Sequence, residues 1–158
     1  MNQTGQNPYL RTKILTASPH ELRLLLFDGA IRFCNQAKKA IDEKDFDTSY
    51  HSIMKAEKII LELSSSLNHD VNPDVTEKMV ALYNYMYRRL IDANMSRDLE
   101  TIDEVIKLLQ YERETWQMLV NKVQSGAKPA AAPKQAMGGY GQMTSAQQTA
   151  ISSYSHSA

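Results

Sequence analysis

Between positions 18 and 123 the apolar residues return every three or four positions, the spacing that lines one face of an α-helix. The run opens at Ser18-Pro19-His20-Glu21. Ser18 can cap the first free amides there, Pro19 suits the first helical position, and Glu21 can reach back as a capping box. Leu22, Leu25, Leu26, Gly29, Phe33, Ala37 and Ile41 then form the predicted buried stripe of a first helix. The charged break Asp42-Glu43-Lys44-Asp45 closes it, and Phe46, Tyr50, Ile53, Ala56, Ile60, Leu63 and Leu67 mark a second. Asn72-Pro73 restarts the chain with another helix-opening proline, followed by Val75, Met79, Leu82, Tyr83, Met86, Leu90 and Ala93. After the polar break from Asn94 to Arg97, Asp98 can cap a fourth helix with the stripe Leu99, Ile102, Ile106, Leu109, Trp116, Leu119 and Val123. No stretch alternates with the period of a strand.

Each predicted helix runs to about 25 residues, roughly 37 Å at 1.5 Å per residue. The breaks are short, which sets neighbouring helices antiparallel. The expected fold is all-α: an antiparallel up-down four-helix bundle over residues 18–124, with an amino-terminal arm over 1–17 and a tail over 125–158. The tail holds Lys128-Pro129-Ala130-Ala131-Ala132-Pro133, Gly138-Gly139-Tyr140-Gly141 and a finish rich in Ser, Thr and Gln. That composition offers too little apolar surface to offset the entropy of ordering, so the tail is expected to be disordered.

Composition narrows the function. A chain of 158 residues with 42% hydrophobic residues can bury one core without a disulfide or structural metal. Eighteen basic residues balance eighteen acidic ones. Without a broad positive field, neither nucleic acid nor an anionic membrane is an expected partner. The single cysteine, Cys34, follows Phe33 in an apolar helical stretch and reads as a buried thiol in a reducing compartment. Met1 to Pro8 lacks the pattern of a signal peptide. No segment approaches the roughly 18 consecutive apolar residues of a membrane span. The expected location is the cytoplasm, without membrane insertion.

The chemistry expected of this chain is none: no catalytic residue, no metal and no cofactor. Metal-binding bundles use Glu-x-x-His pairs, and no histidine here has a glutamate three positions before it. Haem attachment needs paired cysteines, and phosphate-cradling loops need spaced glycines, whereas the body has Gly29 alone, inside a helix. His51 with Lys55 one turn on is the remaining enzymatic alternative, a histidine phosphotransfer site on a helical bundle. The segment Ala56-Glu57-Lys58 stands where such domains usually place a glycine-containing turn.

The apolar residues outnumber what one core stripe per helix can use. Leu24, Phe27 and Ile31, then Met54, Ile59 and Leu61, then Val80, Tyr85, Tyr87, Ile91 and Met95 all lie off the stripes. A wide core face of about 100° absorbs about half of them. The remainder call for a partner, and methionine and tyrosine suit a groove that receives apolar helices. A general helical adaptor is therefore one expectation. The arm, with Tyr9, Leu10, Ile14 and Leu15, is expected to fold over such a groove when no client is bound. Arg88 and Asp92, one turn apart, are an expected surface pair.

Several segments together carry a family likeness over roughly residues 7 to 123. They are Asn7-Pro8-Tyr9, Thr16-Ala17-Ser18-Pro19-His20-Glu21-Leu22 and Leu26-Phe27-Asp28-Gly29-Ala30. Helix two adds Lys55-Ala56, Ile59-Ile60 and Glu62-Leu63, and Leu82-Tyr83-Asn84-Tyr85-Met86-Tyr87-Arg88-Arg89-Leu90 leads to Ala93-Asn94 and the late Trp116. With these the chain resembles the FliS family, the flagellar secretion chaperones of flagellin; Phe27 stands where a tyrosine is common. The resemblance implies a cytoplasmic chaperone that binds the disordered carboxy-terminal segment of flagellin, prevents premature polymerisation and delivers the subunit to the export gate of the flagellar type III apparatus. It also frames the expected client contacts: Tyr9, Leu10 and Ile14 from the arm, and Tyr50, Met54, Tyr83, Met86 and Tyr87 from the groove. A homodimer of the client-free protein is a further expectation.

Overall fold

The helix-opening signals work locally as their chemistry requires. At Ser18 the capping box is complete: the Glu21 amide donates to Ser18 Oγ at 3.2 Å and the Ser18 amide donates to Glu21 Oε2 at 2.9 Å. Asp45, Asn72 and Asp98 each accept an amide of the first turn that follows them. A computed structural model of the chain describes residues 7–70 and 72–126. Within them lie five helices: α1 (Pro8–Thr16), α2 (Pro19–Asp42), α3 (Phe46–Ser65), α4 (Pro73–Ser96) and α5 (Leu99–Gln124). The expected disordered tail lies outside the described residues except for Ser125 and Gly126.

Packing follows chain order around a ring: α2 against α3, α3 against α4, α4 against α5, and α5 back against α2. The all-α bundle expected from the sequence is the observed one. Its core runs from Phe27 and Leu63 through Ile53, Ile60, Met86, Leu90 and Ala93 to Ile102, Val105 and Leu109. The amino-terminal arm, for which no helix was expected, is helical. Asn7 caps it, Pro8 opens it, and it forms the nine-residue helix α1. None of its side chains is buried.

The inward face of α2 is also turned from the predicted one. Leu24, Phe27, Ala30, Phe33, Cys34 and Ala37 are buried, whereas Leu22 is exposed. Positions 22 to 27 are apolar all the way round except at Arg23, so periodicity alone cannot set the phase of this turn. Cys34 is a free, buried thiol, and burial pushes its pKa up to about 12, which leaves it unreactive.

Close approach of α2 and α3 depends on Gly29, where an added Cβ would stand 3.2 Å from Ile59 Cδ1. That atom is the mobile end of a side chain and can move by a few tenths of an ångström, while alanine is favoured over glycine in a helix by about 1 kcal/mol. Gly29→Ala should therefore stabilise by about 0.5 kcal/mol. Gly29→Leu should destabilise by about 1–3 kcal/mol through overpacking. Urea unfolding of the two variants checks both signs.

Candidate functional site

Most seams of the ring are fastened by polar or cation–ring contacts. Lys38 pairs with Asp103 and Arg113 pairs with Asp28 across α2 and α5. Arg89 joins α4 to α5, with Nε donating to Glu104 Oε2 at 3.1 Å and Nη2 to Thr101 Oγ1 at 3.2 Å, and Tyr85 donates to Glu104 beside it. Lys55 of α3 lies 5.4 Å from the centroid of the Phe33 ring on α2.

The seam between α3 and α4, like that between α2 and α3, is spanned by no ion pair among the described residues. It is tied near its ends: Arg97, in the left-handed conformation at φ 58°, sits 3.7 Å from the Phe46 ring centroid, and Thr76 Oγ1 donates to Asn68 O at 3.1 Å. Counting inward from these two contacts sets the antiparallel register. By that count Tyr50 falls between Ile91 and Met95, Met54 between Tyr87 and Ile91, and Leu61 within a turn of Val80. Tyr50 is 49% exposed, Leu61 46%, Ile91 37% and Met95 82%. Met54, Val80 and Tyr87 are half-buried. The result is an apolar strip along two helices, flanked by exposed polar residues, with no partner within the described chain.

Not all expected groove residues lie there. Tyr83 is 1% exposed and Met86 0%, so both are core residues and not groove residues. Their stripe positions, three apart on the inward side of α4, already placed them with Leu82 and Leu90. Tyr50, Met54 and Tyr87 are brought together at the seam. Tyr9 and Ile14 are exposed on α1 and Leu10 is half-buried, so the arm is not folded over a groove in this conformation. Leu61, Ile91 and Met95 belong to the strip as well; their signal in the sequence was an apolar residue out of phase with the core. The expected Arg88–Asp92 pair is replaced by Arg89 to Asp92 at 3.7 Å, because Arg89 faces α5 and Arg88 faces water.

His51 is largely exposed, its Nδ1 held 2.8 Å from Asp47 O and its ring edge-on to Tyr50. Lys55, the companion a phosphotransfer site needs, is committed to the Phe33 face instead. Among the described residues no cluster of His, Cys, Asp or Glu could hold a metal, and no helix is long and apolar enough to cross a membrane.

At the end of the bundle nearest α1 the core contains a cation. Arg23 is buried; its Nη1 donates to Leu63 O at 3.2 Å and Ser66 Oγ at 2.9 Å, and its Nη2 donates to Tyr83 Oη at 2.7 Å. Its guanidinium lies 4.9 Å from the Trp116 ring centroid, and Trp116 Nε1 donates to His20 O at 3.1 Å. Nothing in the sequence marked Arg23, since one arginine among leucines reads as a solvated position.

Glu112 lies in the same region. Desolvation pushes its carboxyl from 4.5 to about 7, against the pull of Arg23. The folded state therefore holds this proton more tightly than the unfolded state does. Stability from this group is fully present below about pH 4.5 and is lost as pH rises through about 7, a change of about 2–3 kcal/mol. Glu112→Gln should raise the unfolding free energy at pH 8 and flatten its decline between pH 4.5 and 7. Urea titrations at four or five pH values check it, and a wild-type curve without that decline would contradict it.

A four-helix bundle with a partly exposed apolar strip along two helices and no reactive cluster among its described residues belongs to the class of helical protein-binding modules. The family model for "Flagellar protein FliS" matches residues 1–123. The "Flagellar secretion chaperone FliS" of Bacillus subtilis is 35% identical over 118 residues, covering 73% of this chain and 87% of the relative. That of Salmonella typhimurium is 32% identical over 114 residues, covering 72% and 84%, and that of Escherichia coli 30% over 108, covering 68% and 79%. The chain belongs to the FliS family: it is a flagellar secretion chaperone and not an enzyme. The family match ends at residue 123, near the close of α5.

Proposed function

We propose that this chaperone works in the cytoplasm, where it holds the carboxy-terminal segment of newly made flagellin on the α3/α4 seam. Holding it there blocks premature polymerisation until the subunit reaches the export gate of the flagellar type III apparatus. The observation that supports this reading is the strip of Tyr50, Met54, Leu61, Tyr87 and Ile91, apolar, partly exposed and crossed by no ion pair among the described residues. A segment that is disordered alone can bury on the order of 1,000–3,000 Å² on such a surface while ordering costs about 2–5 kcal/mol, which leaves capture tight but reversible. Co-purification with flagellin, lost when flagellin is truncated at its carboxy terminus and kept when it is truncated at its amino terminus, is the test. Retention after the carboxy-terminal truncation would refute the assignment.

The same strip explains how the client-free protein can self-associate into a homodimer, and why the arm carries apolar side chains. We read α1 as a cover that folds onto the seam and leaves when the client arrives. Deleting residues 1–16 should then leave client affinity unchanged or raise it about two- to fivefold, by removing a competitor. It should also increase self-association of the free protein, seen by sedimentation. A fall in client affinity would show that the arm grips the client.

A further inference from the structure

Two charged groups on opposite banks of the seam, Glu57 and Arg88, make no ion pair among the described residues. Glu57 projects from the α4 side of α3, between Met54 and Leu61 in the helical repeat, and is half-buried. Burial raises its carboxyl above the ordinary glutamate value, and no cation offsets this. Arg88 stands on the exposed crest of α4, next to Tyr87 and one helical turn from Ile91. Its neighbour Arg89 is engaged with Glu104, Thr101 and Asp92. In the antiparallel register set by Phe46 and Arg97, Glu57 and Arg88 fall at about the same level of the seam, on its opposite sides.

A carboxylate half-buried among apolar side chains is unfavourable until a cation meets it. A plain apolar segment laid over Glu57 would deepen that penalty. An amphipathic helix with a basic residue on one flank of its apolar stripe would remove it, and an acidic residue on the other flank would meet Arg88. We propose that the seam reads charge as well as apolar surface: its occupant is an amphipathic helix bearing Lys or Arg on the flank that faces Glu57 and Asp or Glu on the flank that faces Arg88. The two charges set the direction and register in which the helix lies, because reversing it places like charges together. This inference rests on the α3/α4 seam being the client site.

The direction of a single substitution separates the alternatives. The affinity of the full chain for the carboxy-terminal segment of its cognate flagellin is measured at about 50 mM and about 500 mM salt, where screening differs several-fold in length. For the charge-reading seam, E57Q weakens binding about five- to tenfold at low salt and R88E about tenfold or more, and both losses shrink at high salt. Changing one acidic residue of the flagellin segment to lysine restores binding to R88E. If the seam takes only apolar surface, E57Q tightens binding or leaves it unchanged, and R88E stays within twofold of wild type; either result overturns the proposal while leaving the seam as the client site. Wild-type binding that persists after Tyr50 and Ile91 are replaced moves the client elsewhere and overturns it together with the seam assignment.

Discussion

Replacing Tyr50 and Ile91 together by glutamate should weaken capture of the flagellin segment at least about 100-fold while the bundle stays folded. Both residues are partly exposed in the free chain, and they lie within a turn of each other on the two banks of the seam. Covering an aromatic or isoleucine side chain removes about 1.5–3 kcal/mol of apolar exposure each. A glutamate in the same place brings a carboxylate that must be desolvated without a cation, which adds to the loss. Together about 3–5 kcal/mol is at stake, two to three orders of magnitude in affinity. The fold bears little of this cost, because neither side chain belongs to the core and glutamate is a good helix former. Isothermal titration alongside urea unfolding separates the two effects. A double variant that binds within threefold of wild type would remove the seam from the account.

Arg23→Ala should cost the fold about 3–4 kcal/mol, a large share of the 5–15 kcal/mol that holds a domain of this size together. Arg23 ties α2 to the three other helices of the bundle: it donates to the carboxy-terminal end of α3 and to Tyr83 of α4, and its guanidinium faces Trp116 of α5. Hydrogen bonds from a charged donor contribute about 1.5–3 kcal/mol each, and three made by one group share that gain without simple addition. The alanine also leaves a cavity where the side chain ran between Phe27 and Trp116. Arg23→Met keeps most of the stem and should lose about half as much. Trp116 is the chain's single tryptophan, so its emission reports this end of the bundle directly. A loss below about 1 kcal/mol for the alanine variant would show that the cluster only tolerates the cation.

These two sites differ in how far they could be read in advance. The strip across α3 and α4 was legible as a surplus: Leu61, Ile91 and Met95 are apolar yet out of phase with the core stripes, and a soluble bundle has no internal use for them. Which tyrosines and methionines belonged to it was not legible. Tyr83 and Tyr87 lie one turn apart and look alike in sequence, but Tyr83 is angled into the core towards Arg23 and Tyr87 stays at the margin. A buried arginine gives no periodic signal, because its worth comes from acceptors 40 to 60 residues away.

The number, order and direction of the four bundle helices, though not the short helix α1, were legible in the sequence alone, because caps, prolines and a three-to-four-residue period act within a few residues of where they stand. Asn7-Pro8, Ser18-Pro19, Asn72-Pro73 and Asp98 each open a helix by local hydrogen bonds or a preset φ. The rotation of α2, the fastening of its seams to α3 and α5, and the apolar strip left partly exposed along α3 and α4 were decided by the tertiary structure. Those outcomes depend on partners brought together from distant turns, Gly29 with Ile59, Lys38 with Asp103 and Arg89 with Glu104, and only packing four helices at once selects among faces that are equally apolar.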